Sequence, residues 1–143
     1  MFELLFSIIF PDYAIKPLDL DALGRSQNPN DFLLADADLT EAGSDGGSVR
    51  IEGLELAQIH NAIRRVALEE RGGSLRDQQL LSGVYVIRTP MMKYPNGLYY
   101  WIEPGEGQEV RVSLYSKSIF GHVDFGRNQD YVMAVVDSLE ALR

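Results

Sequence analysis

Val84-Tyr85-Val86-Ile87-Arg88-Thr89, Leu98-Tyr99-Tyr100-Trp101-Ile102-Glu103 and Val110-Arg111-Val112-Ser113-Leu114-Tyr115 are three runs rich in β-branched and aromatic residues. Those types fit a pleated, half-buried surface. Turn residues separate the runs. Pro90 limits the first. Pro95-Asn96-Gly97 contains Asn-Gly, two residues that tolerate positive φ, and predicts a tight hairpin there. Pro104-Gly105-Glu106-Gly107 supplies the next turn. The three runs therefore read as an antiparallel meander. Alternation in the third strand places Val110, Val112 and Leu114 on one side, with Arg111, Ser113 and Tyr115 on the other.

Helical periods flank the meander. Before it, Leu56, Ile59, Ile63 and Val66 recur on one face of residues 54–71, and Arg64, Arg65 and Glu69 fall on the wet side. Gly72-Gly73 predicts the stop. After it, a Gly-containing loop over residues 116–127 leads to a last helix that begins near Asn128, a favoured N-cap. Asp130 suits the positive end of that helix. Its apolar face is Val132, Val135, Val136, Leu139 and Leu142. Further upstream, Phe32–Ala35 reads as a short strand, and Val49–Glu52 as a strand or the entry to the first helix. The expected class is α+β: an antiparallel sheet, made of the three-stranded meander plus one or two N-terminal strands, with two main helices packed on one face.

A length of 143 residues fits a single domain over 1–143. Pro11, Pro17 and Pro29 mark an extended stretch, so residues 1–27 are expected to form an extended or apolar arm and residues 28–143 the core. Cysteine is absent, which excludes disulfides, thiolate metal sites and cysteine nucleophiles. The net charge is −8 and is concentrated early: residues 1–53 hold 10 acidic and 3 basic residues. Such a chain repels phosphate backbones, so no nucleic-acid partner is expected.

Phe2-Glu3-Leu4-Leu5-Phe6-Ser7-Ile8-Ile9-Phe10 is the most apolar run. It is shorter than the ~20 residues that span a bilayer. No Lys or Arg precedes it and no small-residue cleavage site follows, so no transmembrane span and no secretory signal are expected. The expected compartment is cytoplasmic, with envelope association through this run as the alternative. Self-association through residues 2–10 is a further reading.

Residues 36–48 form an acidic, Gly-rich loop. Asp36, Asp38 and Thr40 fit the first, third and fifth positions of a calcium loop, but Glu41 replaces the turn glycine and Gly47 the bidentate glutamate. The loop is expected to bind no calcium, and neither metal nor cofactor is implied elsewhere. His60 lies on the first helix, where it packs or faces solvent. His122 lies beside Asp124 in the Gly-rich loop, a pairing that can serve as a base with its orienting carboxylate. Ser116 and Ser118 are nucleophiles only if that base reaches them. A second surface is the sheet face bearing Arg111 and Tyr115, joined by Tyr85 and by one alternating set of Tyr99, Trp101 or Tyr100. Either it binds a ligand or partner, or the N-terminal segment covers it.

Tyr115-Ser116-Lys117-Ser118-Ile119-Phe120-Gly121-His122-Val123-Asp124-Phe125-Gly126-Arg127-Asn128 resembles the signature of the family known as domain of unknown function 1499. That signature runs roughly S-R-S-R-x-G-x-x-D-[LF]-G-x-N-x-x-R before a helix. Ser116, Ser118, Gly121, Asp124, Phe125, Gly126 and Asn128 match it, and Lys117 replaces the first Arg. Arg88-Thr89 with Tyr94-Pro95-Asn96 resembles the family's R-T…F-P-D stretch, and Pro29-Asn30 its early Pro-Asn motif. Ile119 and Tyr131 fall where the family has arginines, and Asp31 where it often has Cys, so an anion site built on those arginines is partly lost here. The resemblance implies a fold and a site without a particular reaction, and relatives that are often small, exported or membrane-linked, some of them directed to plastids.

Two roles are open for the signature. Gly121 and Gly126 permit left-handed turns, while Asp124 and Asn128 hold the loop and cap the helix. Alternatively, Ser116, Ser118 and the helix N-terminus surround an anion with Arg88 or Lys117. The expected function is a small, non-enzymatic domain that binds a small anion or a protein partner at this polar loop. Its candidate residues are Arg88, Ser116, Lys117, Ser118, Gly121, His122, Asp124 and Asn128, and no catalytic residue is assigned. The alternatives are a hydrolase-like enzyme using Ser116 or Ser118 with His122 and Asp124, and an envelope-associated accessory protein.

Overall fold

The computed structural model describes residues 10–142. Residues 2–9 of the apolar run 2–10 lie outside the described residues, and with them the association expected of that run. The fold is α+β. Six antiparallel strands, β1 (Asp31–Leu34), β2 (Val49–Glu52), β3 (Ser74–Gln79), β4 (Ser82–Arg88), β5 (Pro95–Pro104) and β6 (Glu109–Ser118), form one sheet. The order is β1-β6-β5-β4-β3, and β2 also pairs with β6. β1 faces residues 114–117 of β6 and β2 faces residues 109–112, so the two short strands share one edge. Helices α1 (Leu56–Arg64) and α2 (Arg127–Glu140) pack on one face.

The meander has four strands where the sequence reading expected three. β3 was missed because Ser-Leu-Arg-Asp-Gln-Gln shows no apolar alternation: it is a mostly exposed edge strand, held by its ladder to β4. The first turn also lies elsewhere than expected. Asn96 and Gly97 are inside β5, opposite Ile87 and Val86. The chain reverses at Thr89–Tyr94, where the Tyr94 N–H donates to Thr89 Oγ1 at 3.0 Å and Lys93 adopts φ +57°. Gly97 serves packing: a Cβ there would come within 2.7 Å of the Tyr99 ring.

The first helical segment starts with a capping box between Glu55 and Gln58 and buries Ile59, Ala62 and Ile63. It continues as a π-helix over Arg65–Glu70, burying Val66 and Ala67, and Arg71 N–H closes it onto Val66 O at 3.0 Å. Gly72 (φ +65°) ends it, and Gly73 has no room for a Cβ between Val86 O and Ala67 O.

The two sheet faces have separate cores. Tyr85, Ile87, Leu98, Tyr100, Ile102, Val112 and Leu114 meet both helices. His60 ties α1 down: one ring nitrogen bonds Tyr100 Oη at 2.6 Å and the other Leu80 O at 2.8 Å. The opposite face carries Val84, Val86, Tyr99 and Tyr115, with Trp101 beside them. Tyr85 therefore points to the helices, contrary to the expectation that placed it with Tyr115. Leu33 of β1 and Ala35 just after it extend this face, and Ile15 covers it with Leu20 and Leu23 packed alongside. Trp101 Nε1 donates to Leu18 O at 2.9 Å, and Arg76 to Asp12 O and Ile15 O. Burying a side chain such as Ile15 stabilises by roughly 1.5–3 kcal/mol, which accounts for an extended segment lying flat on a sheet. The aromatic face is thus closed by the chain itself. Arg111 is engaged too, donating to Asp36 (3.0 Å) and Asp38 (2.8 Å), and Asp36 also pairs with Arg50. The carboxylates that fit a calcium register hold guanidinium groups.

Candidate functional site

Asn128 organises the loop end of the sheet. It is the second residue of α2 and fully buried. Its Oδ1 accepts the Ser116 hydroxyl at 2.6 Å. The two hydrogens of its Nδ2 are shared among three acceptors, Asn30 O (2.9 Å), Ser118 Oγ (2.8 Å) and Asp124 Oδ2 (2.7 Å). The Ser118 hydroxyl donates to Asn96 Oδ1 at 2.6 Å, and Asn96 Nδ2 donates to Ile87 O and Tyr94 O. Asn30 Nδ2 holds Gly121 O at 2.8 Å. Three segments distant in sequence, at Asn30, Asn96 and Ser116–Asn128, thereby meet in one hydrogen-bonded knot. Buried amides and hydroxyls are tolerated where they are paired in this way, and Asn30 Oδ1 is the knot's exception, buried without a partner among the described residues.

Asn128 does not cap the helix, as the sequence reading expected. The N-cap is Gly126 at φ +79°, and Asp124 supplies the acceptors: Oδ1 to Gly126 N–H and Oδ2 to Asn128 N–H, each at 3.0 Å. A carboxylate there also suits the positive end of the helix, which leaves the Asn128 amide for the interior. Gly121 is left-handed at φ +91°.

The remaining candidates are placed apart. Arg88 donates to Phe10 O (3.0 Å), Lys93 O (2.8 Å) and Asp12 Oδ2 (3.0 Å) on the far side of the β4–β5 turn. Lys117 is half-buried and His122 exposed. Neither serine hydroxyl is hydrogen-bonded to His122; both donate to amide oxygens. Among the described residues no group of three or more His, Asp or Glu is placed to hold a metal ion, and no helix is long and apolar enough to cross a membrane.

Charged anchors flank the knot. Burial alone would raise the Asp31 carboxyl, but the Arg25 guanidinium at 2.7 Å, Tyr115 Oη at 2.8 Å and the Ser26 N–H hold it below the ordinary aspartate range. Asp12 is treated alike: burial raises it, and Arg76 and Arg88 together bring it down.

Above the knot lies a cleft of about 420 Å³ between the Thr89–Tyr94 turn and the loop after β6. Met91, Met92, Tyr94, Phe120, Val123 and Phe125 line it with Asn96, Ser118, Asp124 and Arg127. Asn96 and Ser118 thus belong both to the knot and to the cleft. Phe125 is 94% exposed and Met91 85%. Lys93 (φ +57°) and Phe125 (φ +54°) are the non-glycine residues at positive φ among the described residues, and they sit on the two loops that bound this cleft. The sequence reading missed Met91 and Met92. The signal was an adjacent methionine pair after Pro90, hidden because the turn was placed at Asn96-Gly97.

Fold and site define an α+β domain whose loop end is pinned by a buried amide–hydroxyl knot beneath an apolar cleft. The chain belongs to the family described as protein of unknown function (DUF1499), whose profile matches residues 11–139. No curated protein matches the sequence. Tyr131, where the resemblance expected an arginine, is buried, with the Arg71 guanidinium 5.8 Å from its ring centre.

Proposed function

We propose that the protein is a non-enzymatic binding domain whose ligand carries an apolar group into the cleft between the Thr89–Tyr94 turn and the β6–α2 loop. The observation that carries this reading is Phe125: an aromatic ring held almost fully in solvent on a left-handed residue. Exposure forgoes burial of a large apolar side chain, and the backbone conformation adds strain of order 1 kcal/mol. Neither serves the fold, since a ring 94% exposed contributes almost no burial and takes part in none of the knot's hydrogen bonds. Grouped apolar exposure around a concavity is the mark of a binding surface. The polar loop residues expected to hold the ligand take a supporting role, with Ser116, Ser118, Asp124 and Asn128 holding the cleft walls in place.

The test is binding of an uncharged apolar fluorophore, N-phenyl-1-naphthylamine. The unaltered chain is expected to raise its emission at micromolar protein, and Phe125→Asn to weaken binding about tenfold while the protein stays folded. Equal emission with and without the Phe125 ring sinks the reading.

A further inference from the structure

The Thr89–Tyr94 turn has a second side. Beneath it lies another cleft, of about 580 Å³, lined by Arg71, Arg88 and Lys93 with Asp12, the Gly72–Ser74 backbone and Pro90. Pro90 lines both clefts, so the apolar one and the basic one are neighbours across a single residue. Three cations face one carboxylate there, in a chain whose net charge is −8. Asp12 is already engaged by Arg76 and Arg88, each at 3.0 Å. Arg71 spends Nη1 on Asp130 at 3.2 Å and leaves Nε buried without a partner. The Lys93 ammonium has no hydrogen bond or ion pair among the described residues. Its backbone is held left-handed by two bonds: Lys93 N–H to Thr89 O at 3.0 Å, and Arg88 Nη1 to Lys93 O at 2.8 Å. A lysine is costly in that conformation, so the position keeps a cation in the wall of the basic cleft against its backbone preference.

Resting on the binding function proposed above, we propose that the ligand is a soluble anionic amphiphile, a carboxylate or phosphate on a single apolar chain. It lies across the turn at Pro90, with its chain in the apolar cleft and its head group beside Lys93 and Arg71. Charge complementarity selects this occupant: an apolar wall and a positive wall meet, while the rest of the molecule is acidic. Two concavities suit a single molecule lying across the turn better than a flat bilayer, since clefts of roughly 300–1,000 Å³ hold small ligands.

The test compares dodecanoate, dodecan-1-ol and acetate on the full chain, each below any micellar concentration, read by backbone amide shifts of Met91, Lys93 and Gly121. Dodecanoate is expected to bind about tenfold more tightly than dodecan-1-ol, the scale of one charge-assisted hydrogen bond. Added salt should narrow that gap. Lys93→Asn removes the cation and suits the left-handed backbone, so it should leave the fold intact and collapse the preference to about twofold or less. Equal binding of acid and alcohol, unchanged in Lys93→Asn, overturns the head-group assignment and leaves the apolar cleft standing. Acetate moving the same amides at the same concentrations as dodecanoate overturns the amphiphile in favour of a plain anion site. Response to none of the three probes, or response only to phosphatidylcholine vesicles, overturns both this inference and the small-ligand reading it rests on.

Discussion

The knot around Asn128 and the rim around Phe125 are three residues apart in sequence and opposite in physical character. In the knot the Asn128 amide, both serine hydroxyls and the Asp124 carboxylate all have partners at 2.6–3.0 Å. On the rim a phenylalanine and a methionine stand in solvent, and two residues hold left-handed backbone. One region spends its polar groups on order; the other keeps features that lower stability. Residues that break local rules without a structural return are where function is to be sought, and a site needs a rigid support beneath it. The signature of this family thus contains both kinds of residue, and only mutation separates them.

The largest effect should come from Asn128→Ala. It strips the partner from Ser116 Oγ and removes the donors to Asn30 O and Asp124 in one step. Each buried group left unmet costs roughly 1–3 kcal/mol, so a loss of about 4 kcal/mol is expected by urea unfolding. A loss below about 0.5 kcal/mol would show that water or rearrangement replaces the knot, and the contrast with the rim would dissolve.

That same residue shows what could and could not be read beforehand. The meander was legible because β-branched and aromatic residues crowd residues 84–87 and 110–115, types that fit a strand even where, as here, both faces are buried and no period-two burial remains. Asn128 was legible as a polar residue at a helix start, but its use was not. Whether such an amide caps or turns inward depends on whether another group, here Asp124, has taken the backbone N–H groups. Asn96-Gly97 misled for a related reason. Turn chemistry explains a glycine by its φ, whereas Gly97 is required by the ring of Tyr99 two residues on. β3 left no trace because an edge strand facing solvent on most of its length needs no apolar alternation. The convergence of Asn30, Asn96 and Asn128 was visible only as resemblance to a family pattern. The cleft was not visible at all, since exposure of Phe125 is a property of the assembled loops.

The second effect divides the scaffold by charge. The knot is neutral apart from Asp124, whereas the Asp31 anchor next to it depends on an ionised carboxylate held by Arg25. Its folded pKa lies below the ordinary aspartate value of about 3.9. That anchor therefore contributes in full above about pH 4, and its contribution is lost as pH falls from there through the folded value. Stability of the unaltered chain should decline below about pH 4. Asp31→Asn should be less stable at pH 7 and decline less steeply on acidification. Parallel pH profiles of the two proteins would assign the acid sensitivity elsewhere, with Asp12 between Arg76 and Arg88 the next anchor to test.

The smallest effect has the opposite sign and bears most on the comparison. At Phe125, φ is +54° and the ring is 94% exposed, so asparagine sacrifices almost no burial and adopts that backbone more readily. Relieving such strain is worth about 1 kcal/mol, so Phe125→Asn should raise the urea midpoint without changing the slope. The same substitution should weaken binding of the apolar fluorophore. A residue whose removal stabilises the fold and weakens binding is retained for the ligand, and that pairing cannot arise from a structural role. Were Phe125→Asn to destabilise by 1 kcal/mol or more, the ring would be making contacts that hold the loop. The rim would then be continuous with the knot in purpose as well as in sequence, and the cleft between Met91 and Phe125 would lose its claim as the site.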